Sequence, residues 1–331
     1  MFIIVAPIFM VIMIGYLFGR KYAQSTAADK LINDYVLYVA LPALLFLAIA
    51  RADSSDLNQP GFIFATLSGI VVVYIIASFI AKAQRIDLPQ SAILSMGASY
   101  GTTGYMGVPI LLAVFGESAA LPAAIATILH NIPAMMAVII SHDLCSATAN
   151  GTRLSARQSL FKALRVTLTN PLTLSVIAGM IFVIFDLPLP TFLVSFCHFL
   201  GNAAGPTALF ALGLGLARCH LWQQINPGVL RLIAPMVLLK LMIQPAITLL
   251  VAMLVFGLRS DNIWLIAAVV MAAQPIGAGV YVFASKYGSN QQVVSLAIII
   301  SLLMALFTLP LILQLFAGDT ANLPLVGGLA L

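Results

Sequence analysis

Two apolar stretches of the chain are each interrupted near their middle, one by Ser99-Tyr100-Gly101-Thr102-Thr103-Gly104-Tyr105-Met106-Gly107-Val108-Pro109 and the other by Gln274-Pro275-Ile276-Gly277-Ala278-Gly279-Val280-Tyr281. A proline removes a backbone donor and clashes with the preceding helical turn, so backbone groups near Pro109 and Pro275 lose their helical partners. In hydrocarbon such groups must be satisfied by other protein groups or by water in a cavity. The two segments therefore predict broken helices that line a polar space.

The composition of the chain is that of a membrane protein. Of its 331 residues, 62% are hydrophobic and 8% are charged, whereas soluble domains have about 45–50% and about 25% respectively. So few charges cannot cover a water-exposed surface of this size, which excludes a soluble enzyme. A nucleic-acid-binding protein is excluded for the same reason, although the formal net charge is +5.

Ten apolar runs approach the length of about 20 residues that a membrane-spanning helix needs. They lie near residues 2–19, 31–50, 61–81, 90–115, 119–141, 170–187, 190–217, 232–257, 262–284 and 292–316. We therefore expect an all-α polytopic protein with five spans in residues 1–141, a cytoplasmic linker at 142–169 and five spans in 170–331. Because each half has an odd number of spans, the second half is inverted relative to the first, as in many secondary transporters.

Basic residues are distributed unequally over the predicted loops. Twelve Lys and Arg, Arg153 and Arg218 among them, fall in one set of alternate loops, and only Arg51 and Arg259 fall in the other. Cytoplasmic loops carry the excess of Lys and Arg, so this asymmetry predicts that both termini lie outside the cytoplasm.

The interrupted segments form the fourth and ninth spans, which correspond in position in the two halves. Interruptions in corresponding spans are the best sequence indication of a transporter's binding site. The alternative interpretation is that the glycines only allow close helix packing. The candidate substrate-binding residues in these segments are Thr102, Thr103, Gly104, Pro109, Gln274, Pro275, Gly277, Gly279 and Tyr281.

Lys240 is the one basic residue that falls inside a predicted span. It lies nine residues after Arg231, which is about 13 Å deeper along a helix. A charge at this depth costs several kcal/mol, so we expect Lys240 to contact an anionic substrate, with Gln244 one turn further on the same face. The alternatives are snorkelling to the surface, or a structural pair with a carbonyl or with an acid such as Asp34.

Three further polar residues in the spans are candidates for the site. Asn131 is expected to line the cavity beside the kink at Pro133. His130 is a candidate for proton coupling because histidine titrates near neutral pH, although a histidine inside a helix bundle also serves as a packing residue. Asp34 is a second candidate for coupling. The histidines and cysteines have no spacing typical of a metal site, and no metal or cofactor is predicted.

The motifs resemble those of the auxin efflux carrier family, which includes the plant PIN-type carriers and bacterial malonate-type permeases. The matching residues are Ala40-Leu41-Pro42-Ala43-Leu44-Leu45-Phe46, Thr103 to Pro109, and Pro275 to Tyr281 followed by Ala284 and Tyr287-Gly288. The resemblance covers nearly the whole chain. It implies a bacterial inner-membrane protein with a fold similar to the bile-acid symporters, in which broken helices 4 and 9 cross at the substrate site.

The chain differs from that family at two positions. Many members have Asn where this chain has Thr102, and Asn is also common where it has Gly279. In relatives those amides often bind a substrate carboxylate, so the differences weigh against an auxin-like substrate. Thr102, Thr103 and Gln274 offer replacement donors, and helix N-termini at the breaks favour an anionic group.

These observations predict a secondary active transporter that moves a small organic anion by alternating access. The expected class of anion is a carboxylate. The expected partners are the anion, the lipid bilayer, H⁺ or Na⁺ as coupling ion, and a second copy in a homodimer. The alternative is a non-transporting sensor or a channel-like protein on the same fold. An intramembrane enzyme is disfavoured because HExxH, GxSG and GxGD motifs are absent from the sequence.

Overall fold

The computed structural model describes residues 2–22, 26–53, 56–145, 155–217 and 227–317. Within these ranges the chain is helical and has no β-strand. The α-helices are α1 (Phe2–Lys21), α2 (Thr26–Tyr35), α3 (Leu41–Ala50), α4 (Pro60–Ala83), α5 (Leu88–Ser99), α6 (Val108–Phe115), α7 (Ala120–Cys145), α8 (Ala156–Leu168), α9 (Pro171–Ile184), α10 (Thr191–Ala217), α11 (Pro227–Leu238), α12 (Gln244–Leu250), α13 (Ile263–Ala272), α14 (Gly279–Lys286) and α15 (Gln291–Ala317).

Apart from α8, which lies in the predicted linker, the helices coincide with the ten predicted apolar runs to within a few residues. Among the described residues, six helical segments are long and apolar enough to cross a membrane, and counting the bent pair α8–α9 as one span makes seven. Large apolar side chains cover the outside of the protein: Phe192, Phe199 and Leu254 are 75%, 81% and 78% exposed. Exposed apolar surface of this kind requires a lipid environment or a partner to cover it. The protein is therefore a polytopic membrane protein, as the composition predicted.

Three membrane helices contain a π-helical turn that ends two residues before a proline. In each, the residue just before the proline donates its backbone N–H to the carbonyl five residues back. Proline lacks an N–H and its ring clashes with the carbonyl four residues back, so the wider turn accommodates it. The three turns are Val36–Ala40 before Pro42, Thr103–Gly107 before Pro109, and Leu239–Ile243 before Pro245.

The helices pack in two groups. One group contains α1, α3, α9 and α10, and the other contains α4 to α7 and α11 to α15. Each group therefore takes helices from both predicted halves of the chain. A cavity of about 500 Å³ lies where the first group meets α6, and Pro109, Glu117, Asn202 and Pro206 are among the residues that line it.

The predicted linker at 142–169 contributes the end of α7 and the helix α8. Helix α8 is bent by 72° from α9, and Lys162 attaches it to α7 by donating to both carboxylate oxygens of buried Asp143, at 2.9 and 2.7 Å. Residues 146–154 of the linker lie outside the described residues, and so do the bases Arg153 and Arg218. The division into two halves and a linker stays a prediction.

Helix α1 packs on α10 through glycine. A Cβ on Gly15 would lie 3.1 Å from the carbonyl carbon of Phe210 and 3.2 Å from the Cα of Gly213. Both are backbone atoms, so they cannot move aside unless the two helices separate. Small residues allow this close approach between membrane helices.

We expect Gly15→Ala to destabilise the protein by about 1–3 kcal/mol, the usual cost of overpacking. The measurement is the midpoint of thermal unfolding in detergent. Gly215→Ala is the matched control, because a Cβ on this α10 glycine meets no heavy atom within 4 Å. If both variants unfold at the wild-type temperature, α1 and α10 do not pack as described.

Candidate functional site

The two interrupted segments are hydrogen-bonded to each other through their backbones. Helix α5 ends at Ser99 and α13 ends at Ala272, and between these breaks Gly101 and Ile276 form an isolated antiparallel bridge. The N–H of Thr102 donates to the carbonyl of Pro275 at 2.9 Å, and the N–H of Gly277 donates to the carbonyl of Tyr100 at 3.0 Å. Each break therefore supplies the backbone partners that the other lost, as burial in a membrane requires.

Close approach of the two breaks depends on glycine. A Cβ on Gly277 would lie 2.9 Å from the carbonyl oxygen of Gly101 and 2.5 Å from a ring carbon of Tyr100. A Cβ on Gly279 would lie 2.9 Å from the hydroxyl of Tyr100. The Tyr100 side chain thus fills the space that a larger residue at position 279 would need, which gives a steric reason for glycine there.

Lys240 reaches the paired breaks from the third π-helical turn. Its side chain is fully buried, and its Nζ donates to the Oε1 of Gln244 at 2.7 Å and to the carbonyl of Ala272 at 2.6 Å. Ala272 ends α13, where the helix dipole favours a cation. A Cβ on Gly101 would lie 3.1 Å from Lys240 Nζ, so the ammonium lies directly beside the backbone bridge.

Several polar atoms near Lys240 and in the broken helices are buried without a hydrogen-bond partner among the described residues. They are Gln244 Nε2, Thr103 Oγ1 and Gln274 Oε1, on side chains that are at most 1% exposed. The amide nitrogen of Gln274 is satisfied by the carbonyl of Val270 at 2.9 Å. Buried polar groups are nearly always paired, so these orphaned atoms have unmet hydrogen-bonding capacity that a polar ligand or water would satisfy.

His130 and Asn131 lie on α7 and are both buried. The Nδ1 of His130 is 2.9 Å from the carbonyl of Ala126, and its Nε2 has no partner among the described residues. His130 is also close enough to Lys240 for their charges to interact. The histidine therefore belongs to the surroundings of the ammonium.

Other candidate residues lie farther from the ammonium or are turned away from it. Pro109 lines the cavity beside α6, and Gly104 packs against Leu41 and Thr127. Tyr281 is 41% exposed. Asp34 is half-buried near Tyr105, and no ion pair between Asp34 and Lys240 occurs among the described residues.

Four contributors to this arrangement could not be identified from the sequence. Two of them, Gly101 and Tyr100, lie inside the quoted segment. Only the fold shows that Gly101 leaves space for Lys240 Nζ, and that the ring of Tyr100 packs against Gly277 and Gly279. Ser301 of α15 accepts a hydrogen bond from the N–H of Ile276 at 3.1 Å, and nothing in the sequence distinguishes it from Ser295 in the same helix. The carbonyl of Ala272 has no signal in the sequence.

The fold and the paired breaks define a class of polytopic transport protein, and comparison with known proteins identifies it. The model of the family described as membrane transport protein matches residues 1–313. The chain therefore belongs to this family, and the resemblance to the auxin efflux carriers is confirmed. The description of the family and the names of most relatives are those of membrane transporters and not of enzymes.

Relatives align along most of the chain. A protein of Rhizobium meliloti (strain 1021) named "Putative malonate transporter" is 32% identical over 321 residues, which cover 94% of both chains. "Uncharacterized transporter YfdV" of Escherichia coli (strain K12) is 25% identical over 92% of this chain and 94% of its own. "Lysosomal cholesterol signaling protein" of Mus musculus is 23% identical over 88% of this chain, a match that covers 35% of the mouse protein.

Proposed function

We propose that this transporter is a secondary carrier for a small organic anion, which it binds where the two broken helices meet. The observation that carries the proposal is the fully buried ammonium of Lys240, which lies beside the backbone bridge and whose partners among the described residues are neutral oxygens. A carboxylate at about 4 Å from an ammonium gains about 4 kcal/mol at an effective dielectric constant of about 20. That attraction is large enough to select anions.

The substrate that we propose is a small carboxylate. The orphaned Nε2 of Gln244 can donate to a carboxylate oxygen, and the hydroxyl of Thr103 can donate or accept. The orphaned Oε1 of Gln274 is an acceptor, which suits a hydroxyl or a protonated carboxyl group. The printed name of the Rhizobium relative makes malonate the first compound to try.

The architecture that we propose has ten spans in two inverted repeats. The spans are α1, residues 30–50, α4, the broken pair α5–α6, α7, α9, α10, residues 227–255, the broken pair α13–α14, and α15. Both termini then lie outside the cytoplasm of a bacterial inner membrane, in agreement with the distribution of basic residues. In this arrangement both repeats contribute to the site, the first through the break at Gly101 and Thr102 and the second through Lys240 and the break at Pro275.

Alternating access would use the two helix groups. The group with α1, α3, α9 and α10 meets the group with the broken helices along the cavity of about 500 Å³ beside Pro109. Relative movement of two packed groups about a fixed site is the usual mechanism of carriers with inverted repeats. Family resemblance also supports a homodimer, and we propose H⁺ or Na⁺ as the coupling ion.

The test is exchange transport in proteoliposomes loaded with unlabelled malonate, succinate, lactate or acetate. We expect labelled compound outside to enter by saturable counterflow for at least one member of this panel, with no uptake into protein-free liposomes. Uptake that rises linearly with concentration and shows no counterflow would indicate a channel. Binding without any transport would favour the sensor, a role to which the name of the mouse relative lends support.

A further inference from the structure

In the part of the chain that the structure describes, no negative charge compensates the buried ammonium of Lys240. Its two hydrogen-bond partners, Gln244 Oε1 and the carbonyl of Ala272, are both neutral. Among the described residues, the ion pairs join Asp143 to His142 and Lys162, and Asp261 to Arg259. None of these carboxylates is a partner of Lys240.

Among the described residues, the helices packed against Lys240 place no acidic side chain beside its ammonium, since Asp143 of α7 is paired with Lys162. Helices α5, α12, α13 and α15 contain no acidic, basic or histidine side chain. On α4, Lys82 is exposed, and the hydroxyl of Tyr74 donates to Ser141 at 3.2 Å. On α11, Arg231 is exposed. This leaves His130 of α7, a base that cannot supply negative charge.

An unpaired ammonium in such a site is costly, because its loss of hydration is only partly offset by two neutral acceptors and a helix dipole. A bound carboxylate supplies the missing charge and makes the ammonium favourable. When the carboxylate leaves, the neutral amine becomes the better state of the same side chain. The charge of Lys240 is therefore linked to occupancy of the site.

We propose that Lys240 carries one proton across the membrane with each anion, so that the protein is a proton–anion symporter. The inference rests on the proposed function. As the anion binds, the amine takes a proton from water on the loading side and becomes an ammonium. As the anion leaves on the other side, the N–H bond breaks, the proton passes to water there, and the empty carrier returns with a neutral amine.

In this cycle, net uptake and exchange differ in whether Lys240 must release its proton. Net uptake requires the empty carrier to return, so Lys240 must lose its proton in every cycle. Exchange of internal for external anion uses only the loaded carrier, so the proton can stay on Lys240. A monoanion with one proton moves no net charge, whereas a dianion with one proton moves one negative charge.

The test uses the same proteoliposomes and carboxylate panel, with the membrane potential clamped at zero by valinomycin and equal potassium. With the lumen more alkaline than the outside, we expect accumulation of the anion by about tenfold per pH unit, since each factor of ten equals about 1.4 kcal/mol. A trapped pH-sensitive dye should report acidification of the lumen during uptake. A separate assay without valinomycin tests sodium coupling. Replacement of external sodium by choline, with no potassium present, should leave uptake unchanged.

Lys240→Arg separates the two kinds of transport, because a guanidinium does not release its proton in proteins. We expect the ratio of exchange to net uptake to rise tenfold or more over wild type, whatever the absolute loss of activity. Lys286→Arg, which changes an exposed residue at the end of α14, should leave the ratio unchanged. If the arginine protein is inactive, the dye measurement on the wild-type protein still decides whether a proton accompanies the anion.

The outcomes separate the two proposals. Exchange and net uptake of an anion without acidification, or with no dependence on the pH gradient, would overturn proton symport and leave the anion carrier standing. Absence of exchange for every member of the panel would overturn the anion carrier and proton symport with it. Acidification that accompanies uptake and is lost in Lys240→Arg would support both.

Discussion

Lys240→Met is expected to reduce carboxylate uptake by about a hundredfold or more, because it removes the one charge at the paired breaks. A loss of this size corresponds to about 2.7 kcal/mol, which is within the attraction of about 4 kcal/mol expected between an ammonium and a carboxylate. Stability should be unchanged or higher, since replacing a buried charge with an apolar residue of similar length is often neutral or stabilising. The measurements are initial uptake rates per reconstituted protein and unfolding midpoints in detergent.

Lys286→Met is the matched control for that variant. Lys286 is also a lysine, but it is exposed at the end of α14, so its loss should leave uptake within about twofold of wild type. The account would be contradicted if Lys240→Met took up carboxylate at the wild-type rate. A lower unfolding midpoint together with the uptake loss would instead show that the lysine mainly holds α12 to α13.

Gly277→Ala is expected to reduce uptake tenfold or more by pushing the two breaks apart. The added Cβ would lie 2.9 Å from the carbonyl oxygen of Gly101, which is a backbone atom held in the antiparallel bridge. Its neighbour Tyr100 can rotate, but the carbonyl cannot move without disturbing the hydrogen bonds that satisfy both breaks. Overpacking of this kind usually costs about 1–3 kcal/mol.

Gly215→Ala is the control, because a Cβ at this position of α10 meets no heavy atom within 4 Å. Uptake is measured as initial rates in proteoliposomes for both variants side by side. Full activity of Gly277→Ala would mean that the bridge between Gly101 and Ile276 is not needed during transport. Full activity of Gly215→Ala is expected in either case.

Much of the fold followed from local sequence. The positions of the helices could be predicted because apolar runs of sufficient length have no stable alternative to helix in a membrane. The interruption of two helices could be predicted from the clustered glycines and prolines, but the first break lies at Tyr100 to Thr102, whereas a π-helical turn accommodates Pro109. The bend between α8 and α9 could not be predicted, because nothing in the residues before Pro171 distinguishes a pair of helices joined by a bend from a helix preceded by an irregular linker.

The candidate site was predicted only in part. Lys240 and Gln244 were paired correctly, because residues four apart share one face of a helix, and the carbonyl alternative for Lys240 is realised at Ala272. The carbonyl of Ala272 could not be identified in advance as the partner of Lys240, because every residue has a backbone carbonyl and the sequence does not show which one lies nearby. Asp34 was named as an acid partner on residue type alone, and the structure brings it near Tyr105 instead.

The most direct measurement is a crystal structure of the protein with a transported carboxylate bound. The account predicts the carboxylate within hydrogen-bond distance of Lys240 Nζ, beside Gly101, with Gln244 turned to offer its amide nitrogen. Density for the anion in the cavity between α1, α6 and α10, with the hydrogen bonds of Lys240 to Gln244 and Ala272 unchanged, would contradict it.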